Sequence, residues 1–348
     1  MSRWVRIVKA TGLLLGVLAW PGLDLRAAYI FTSFDGPGTI TATTANGINN
    51  DTAIVGFSTV TGMNFNFIRH PNNTFTLLVI GGDTGAMANG INKAGTVVGV
   101  SGPNNATHPN TAFSLASGSS TPTFLPAPNP GNTVSSVAFG INDKGVIVGQ
   151  YVDSKSGTTP GFILNNGAFT LLNPTDPVSG TTATVTNAQG INNNGTGVGF
   201  ESANGVNQHG FKFDLAGHTT ALPDPAGTPQ ILADGLVLTQ FLGVNDSGIA
   251  VGYYQTNGGS QHGFLFDLAT DKYTFLDEPN SVPGTTAASI TQITGIDNAG
   301  DLTGFYLDAN GAMHGFLATP AAEPAPLTLL GIGLAGLAVF GWRRKTTA

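Results

Sequence analysis

Three histidines recur at matching places in this sequence, His209-Gly210-Phe211, His262-Gly263-Phe264 and His314-Gly315-Phe316, spaced 53 and 52 residues apart. Evenly spaced histidines invite a metal reading. Three imidazoles would then have to converge to about 2 Å from one ion, whereas equivalent positions on successive units of a radial array lie apart. A strand-start histidine bonding a neighbouring turn is the simpler account. Asp51, Asp143, Asp246 and Asp297 sit in Asn-rich turns and could offer oxygens to calcium. Their offsets within the turn differ, and no D-x-[DN]-x-[DN]-G loop with a distal Glu is present, so turn chemistry explains them. No metal and no cofactor is expected.

Glycoside hydrolysis needs two carboxylates facing a sugar several ångströms apart. The chain has three Glu. Glu323 belongs to the C-terminal tail, Glu201 is expected in an inter-strand loop, and Glu278 adjoins Asp277 after the segment Tyr273–Leu276. Adjacent residues on a strand point to opposite faces, which makes Asp277 and Glu278 a poor catalytic pair. There is no Cys, no Gly-x-Ser-x-Gly elbow and no phosphate loop in a strand–helix context. No catalytic residue is assigned. Four aromatics that follow the Val-Gly or Thr-Gly steps, Tyr253, Tyr254, Phe305 and Tyr306, are candidate stacking surfaces for sugar rings; the competing reading packs alternate ones between sheets.

These side chains hang on a repeat. Gly140-Ile141-Asn142-Asp143-Lys144-Gly145 is an apolar step into a tight turn, and Val148-Gly149 follows it. Near-copies begin at Gly47, Gly90, Gly190, Gly243 and Gly295, with start-to-start spacings of 43, 50, 50, 53 and 52 residues. A period near 50 matches a four-stranded propeller blade. Each unit continues into a Gly/Asn/Ser-rich loop, an aromatic strand such as Gly161–Leu164, and a further short strand such as Phe169–Leu172. The sixth unit has no fourth strand before the tail, but a spare copy, Tyr29–Phe34, precedes the first. The expected fold is therefore all-β: a six-bladed β-propeller over residues 29–319, closed by its N-terminal strand, because closure removes the edges that an open array exposes.

Charge and the two ends bear on address and partners. Only 9% of residues are charged. Residues 28–321 hold six basic and 18 acidic side chains, a balance of −12, which repels phosphate backbones and argues against nucleic acid. Residues 1–28 read as a secretory signal peptide, with Arg3, Arg6 and Lys9 ahead of the apolar stretch Ala10–Trp20. Residues 320–348 read as a sorting tail. Ala322-Glu323-Pro324 precedes an apolar segment, 325–342, about 27 Å long as a helix, and Arg343-Arg344-Lys345 forms the membrane stop.

The tail's layout resembles the PEP-CTERM sorting signal of Gram-negative bacteria, with Ala322 where the motif has its first proline. The resemblance implies recognition by an exosortase-type processing enzyme, removal of the helix and delivery to the cell surface, often alongside exopolysaccharide. The repeat resembles the HAF family of probable extracellular repeats, with Gly replacing the middle Ala of its His-Ala-Phe strand, and implies a secreted protein. The functional expectation is an exported, non-enzymatic binding or scaffolding protein. Its partners would be the secretion machinery, an exosortase and polysaccharide, with the membrane engaged through the C-terminal helix before processing. The alternative is a secreted carbohydrate-active enzyme with its site in the central pocket. Convergent Asp/Glu in that pocket would favour the enzyme; a Thr/Asn lining would favour binding.

Overall fold

The computed structural model describes residues 29–38, 42–60, 63–281 and 288–321. The chain divides into two compact units, Met1–Ile30 with Pro320–Ala348, and Phe31–Thr319. In the first, only residues 29, 30, 320 and 321 are described, at or beside strand ends. The expected signal peptide (1–28), the sorting motif Ala322, Glu323 and Pro324, the transmembrane helix (325–342) and the basic end Arg343, Arg344 and Lys345 lie outside the described residues. Among the described residues no helix is long and apolar enough to cross a membrane.

The unit Phe31–Thr319 is built from antiparallel sheets whose strands follow chain order. One four-stranded sheet comprises Thr133–Ile141, Ile147–Asp153, Gly161–Asn165 and Ala168–Leu172. Three more four-stranded sheets have the same layout, with first strands Met87–Ile91, Val185–Ile191 and Leu236–Val244. The remaining sheet has eight strands. Thr291–Ile296, Leu302–Leu307 and Met313–Pro320 run into Ala42–Ile48, Ile54–Val60, Met63–Arg69 and Phe75–Leu77, and Tyr29–Phe34 pairs with Met313–Pro320.

The eight-stranded sheet is two four-stranded units that touch at one parallel pairing, Ala42 with Met313. The same parallel bridge recurs between separate sheets, as Thr159 with Val185, Gln208 with Leu238 and Gln261 with Ile290. The pairing of the last repeat with the first is thus of the kind that joins the others. First strands also contact one another in succession, and Thr291–Ile296 contacts Ala42–Ile48.

The motif residues explain this packing. Each first strand carries a bulge one residue before the motif glycine, as between Ala138 and Gly140. The glycine there meets the next repeat's backbone: an added Cβ at Gly140 would lie 2.5 Å from the Gln189 carbonyl oxygen, and one at Gly90 2.6 Å from that of Phe139. The Val-Gly glycine answers a different crowding, since a Cβ on Gly149 would sit 2.0 Å from the Val137 carbonyl oxygen. The freed space holds a phenylalanine of the third strand, and Phe67, Phe113, Phe162, Phe211, Phe264 and Phe316 are all fully buried. Each such ring contributes about 2–3 kcal/mol of transfer free energy.

The N-terminal strand is wedged into the same scheme. Phe31 lies 5.3 Å from Phe316, and Phe34 packs edge-on to Phe67 at 6.3 Å with the Arg69 guanidinium 4.8 Å from its centroid. One departure from the all-strand expectation is the helical turn Pro229–Asp234, which occupies the long excursion 223–242. Thr228 caps it, its hydroxyl accepting from the Ile231 amide.

Candidate functional site: the channel between the first strands

The turns after the first strands hold the chain's most regular polar structure. Asn142 Oδ1 accepts from the Lys144 and Val146 amides at 3.1 and 2.9 Å, and Gly145 closes the turn at φ 79°. The other half of the amide reaches outward. Asn49 Nδ2 donates to the Asn92 carbonyl, Asn92 to Asn142, Asn142 to Asn192, Asn192 to Asn245 and Asn245 to Asp297, at 2.9–3.2 Å. A second circuit runs one residue on. The amides of Lys93, Asp143, Asn193, Asp246 and Asn298 donate to side-chain oxygens of Asp143, Asn193, Asp246, Asn298 and Asn50. It breaks where Lys93 offers no acceptor to Asn50. Two aspartates of the turns, Asp143 and Asp246, are thus acceptors between repeats.

The space enclosed by the first strands narrows from one mouth to these turns. At the mouth is a cavity of about 190 Å³ lined by Asn46, Asn89, Gln189, Gln240, Gln292 and Thr294, with Phe139, Leu242 and Phe305. Further in, the motif glycines and isoleucines leave about 80 Å³, and the Asn/Asp turns about 70 Å³. Among the described residues, no ionisable side chain lines the mouth. Its amides are partly anchored from behind: Asn46 and Asn89 donate to the Ala88 and Ala138 carbonyls, each at 2.9 Å. Gln292 donates to Gln261 Oε1 at 2.7 Å, Gln240 donates to Gln208, and the Thr294 hydroxyl donates to the Ala45 carbonyl. Gln189 lines the cavity with its carboxamide unengaged. Two larger recesses lie off this channel. One of about 470 Å³ is lined by Lys212, Asp214 and His218, and one of about 690 Å³ by Asp83, Asn104, Asn105 and Phe124.

The structure disperses the residues that the sequence singled out. His209, His262 and His314 each bond one aspartate through Nδ1, Asp224 at 2.7 Å, Asp277 at 2.8 Å and Asp35 at 2.7 Å. The partner at Nδ1 is a residue just beyond the fourth strand, supplied for His314 by the N-terminal segment; His314 Nε2 also lies 3.7 Å from Asp308 Oδ2 on the turn before its strand. Among the described residues no group of three His, Asp or Glu is arranged to hold a metal. Of the proposed stacking aromatics, Tyr253, Tyr254 and Tyr306 are buried at 6%, 1% and 5% exposure, so they present no open face to a sugar. Tyr254 and Tyr306 instead tilt against His262 and His314. Phe305 alone of the four reaches the cavity.

The acids separate too. Asp277 engages His262 and the Gly263 amide, while Glu278 is buried and accepts from the Asn280 amide at 2.6 Å and from Ser33. Glu201 corrects the loop assignment. It lies on the second strand Gly197–Ser202, in the place that Tyr254 and Tyr306 take in later repeats, and both its oxygens are buried without a partner. Burial pushes its carboxyl up to about 7; Asp176 and Asp224 add to the shift and His209 opposes it. The mouth carboxamides were missed in the sequence. The residue before each motif glycine, Asn46, Asn89, Phe139, Gln189, Leu242 and Thr294, varies from repeat to repeat and faces the channel, and that variability was the available signal.

A family model described as "Protein of unknown function (DUF3466)" matches residues 126–308. No curated protein matches the chain. Among solved structures, a putative TolB from Agrobacterium tumefaciens aligns at 11% identity and TM-score 0.50, covering 83% of this chain and 93% of its own. A mutant Aleuria aurantia lectin in complex with Fucα1-6GlcNAc aligns at 11% identity and TM-score 0.47, covering 83% and 100%. At these identities the first likeness shows the fold alone, a propeller-like arrangement of four-stranded sheets.

Proposed function

This chain belongs to the DUF3466 family, and from that premise, which carries no activity, we propose a non-enzymatic binding protein whose site is the carboxamide mouth. The ligand is a neutral, hydroxyl-rich group such as one sugar residue or a chain end. The observation that carries this reading is the lining: five carboxamides, one hydroxyl, a leucine and two phenylalanines, with no acid or base among the described residues. Amide groups offer paired donors and acceptors to hydroxyls without the desolvation cost of a charge. At about 190 Å³ the cavity is smaller than the roughly 300–1,000 Å³ typical of drug-sized ligands, which suits a single ring. A glycoside hydrolase would need opposed carboxylates there, and Glu201 and Glu278 do not line it.

The wider reading is a six-bladed β-propeller, closed by Tyr29–Phe34, that is exported and held at the cell surface. The contact circuit between first strands supports the ring. The HAF-like repeat, the N-terminal signal and the PEP-CTERM-like tail support export, processing by an exosortase-type enzyme and association with exopolysaccharide. Titration of the protein with a panel of neutral glycans tests the site. Binding of at least one member, weakened about tenfold or more by Gln189→Ala or Phe305→Ala with the melting temperature unchanged, is the expected result. Retained binding in both variants would move the site elsewhere. Cell fractionation with and without residues 322–348 tests the address.

A further inference from the structure

The amide circuit has one link of different chemistry. Five turns carry asparagine, whose Nδ2 donates to the next repeat's carbonyl. The sixth turn carries Asp297. Its Oδ1 does what the asparagine Oδ1 does elsewhere, accepting from the Ala299 and Asp301 amides at 2.9 Å. Its Oδ2 stands where the others have Nδ2, is buried, and has no partner. The Asn298 amide donates to Asn50 Oδ1, just as the Asp246 amide donates to Asn298 Oδ1. The last turn therefore packs on the first in the shared register, and that register sets the Asn49 carbonyl opposite Asp297 Oδ2. An ionised carboxylate and a carbonyl facing each other in a buried site repel; the carbonyl already accepts from the Thr52 amide at 2.9 Å, whereas Asp297 Oδ2 lacks a donor.

We infer that Asp297 holds a proton in the folded protein and donates it across the junction of the last and first repeats, completing the sixth link as an acid where the others use an amide. Two further features of that junction agree. Thr52 occupies the turn position that Gly95, Gly145, Gly195, Gly248 and Gly300 hold elsewhere, at φ 57°, and its hydroxyl reaches Asp301 Oδ2 at 3.4 Å. Asp301 lies on Asp297's own turn and adds to the repulsion. Asp51 on the first turn and Asp246 on the fifth are the other charged groups on the packed turns, and none is basic. Burial first, then Asp301, raises the Asp297 carboxyl to about 6, and burial raises Asp301 as well. The folded value lies above the unfolded one of about 3.9. The link is thus whole below the unfolded value and is lost as pH rises through about 6.

Thermal unfolding of the full chain between pH 4.5 and 8.5, for the parent, Asp297→Asn and Asp301→Asn, tests this. Asparagine supplies a permanent donor. The expected result is a melting-temperature gap between Asp297→Asn and the parent that is near zero at pH 4.5 and opens above pH 6 to about 2–4 °C or more. Asp301→Asn should shift the parent's loss to lower pH. A gap that does not change with pH, or a variant less stable throughout, overturns the assignment. So does stabilisation of the parent at pH 8 by added calcium or magnesium that Asp297→Asn abolishes, because a cation would then fill the link. Should the variant fail to fold, the infrared carbonyl band of a buried carboxylic acid in Glu201→Gln protein at pH 5 decides: its presence supports the proton, its absence overturns it.

Discussion

A carboxylate buried among strands is either held neutral or left uncompensated, and Glu201 makes the cost measurable. In later repeats its place is filled by Tyr254 and Tyr306, whose hydroxyls find Thr228 and Ser33; Glu201 finds nothing. Because its folded carboxyl titrates near 7, against an unfolded value of about 4.3, the folded chain keeps a proton that the unfolded chain releases between those limits. Stability therefore falls as pH rises from about 4.3 to 7. Glu201→Gln should be of order 1–3 kcal/mol more stable than the parent at pH 8 and indistinguishable from it at pH 4, in urea unfolding at the two pH values. Thr52 supports a second expectation. A β-branched residue at φ 57° is strained, so Thr52→Gly should gain about 1 kcal/mol where the loss of its Asp301 contact does not offset it, read from the same unfolding curves.

Among the elements, the N-terminal strand has the most at stake. Phe34 meets Phe67, Phe75 and Arg69 of the first repeat and leaves no room for a side chain at Gly315 of the last. Phe34→Ala should cost about 3–5 kcal/mol in urea unfolding, more than a single strand at a free edge would justify. The strands themselves were largely legible. The repeated Asn-x-x-Gly turn, the Val-Gly step and the aromatic strand after it placed four strands in most repeats, and the structure adds that the Val-Gly glycine is where backbone crowds backbone. The carboxamide mouth was not legible, because a channel lining depends on which residue occupies a bulge, and the bulges at Ala138/Gly140 and its counterparts are set by packing between repeats. Tyr253, Tyr254 and Tyr306 misled for a related reason: alternation assigns opposite faces, but in a sheet covered on both faces neither is open.

Across the whole molecule, the proposed ring predicts how the chain comes apart. An open array frays from its ends, because each unit leans only on its neighbours. In the ring, the last unit leans on the first through Ala42–Met313 and Asn298–Asn50, and His314–Asp35 ties the N-terminal segment to the last unit, so neither terminal repeat stands alone. Unfolding monitored by tyrosine fluorescence, far-ultraviolet circular dichroism and limited proteolysis should give coincident midpoints, and non-coincident ones would favour an open array.

The amide circuit also bears on how such a chain diversifies. Five of its links are chemically identical and pass from side chain to backbone, so an inner unit meets any neighbour on the same terms. Recombination that exchanges or rewrites inner units leaves the girdle intact and is free to alter the residues at the mouth. The terminal pair is bound by a private arrangement of acid, threonine and N-terminal strand, and must change together or not at all.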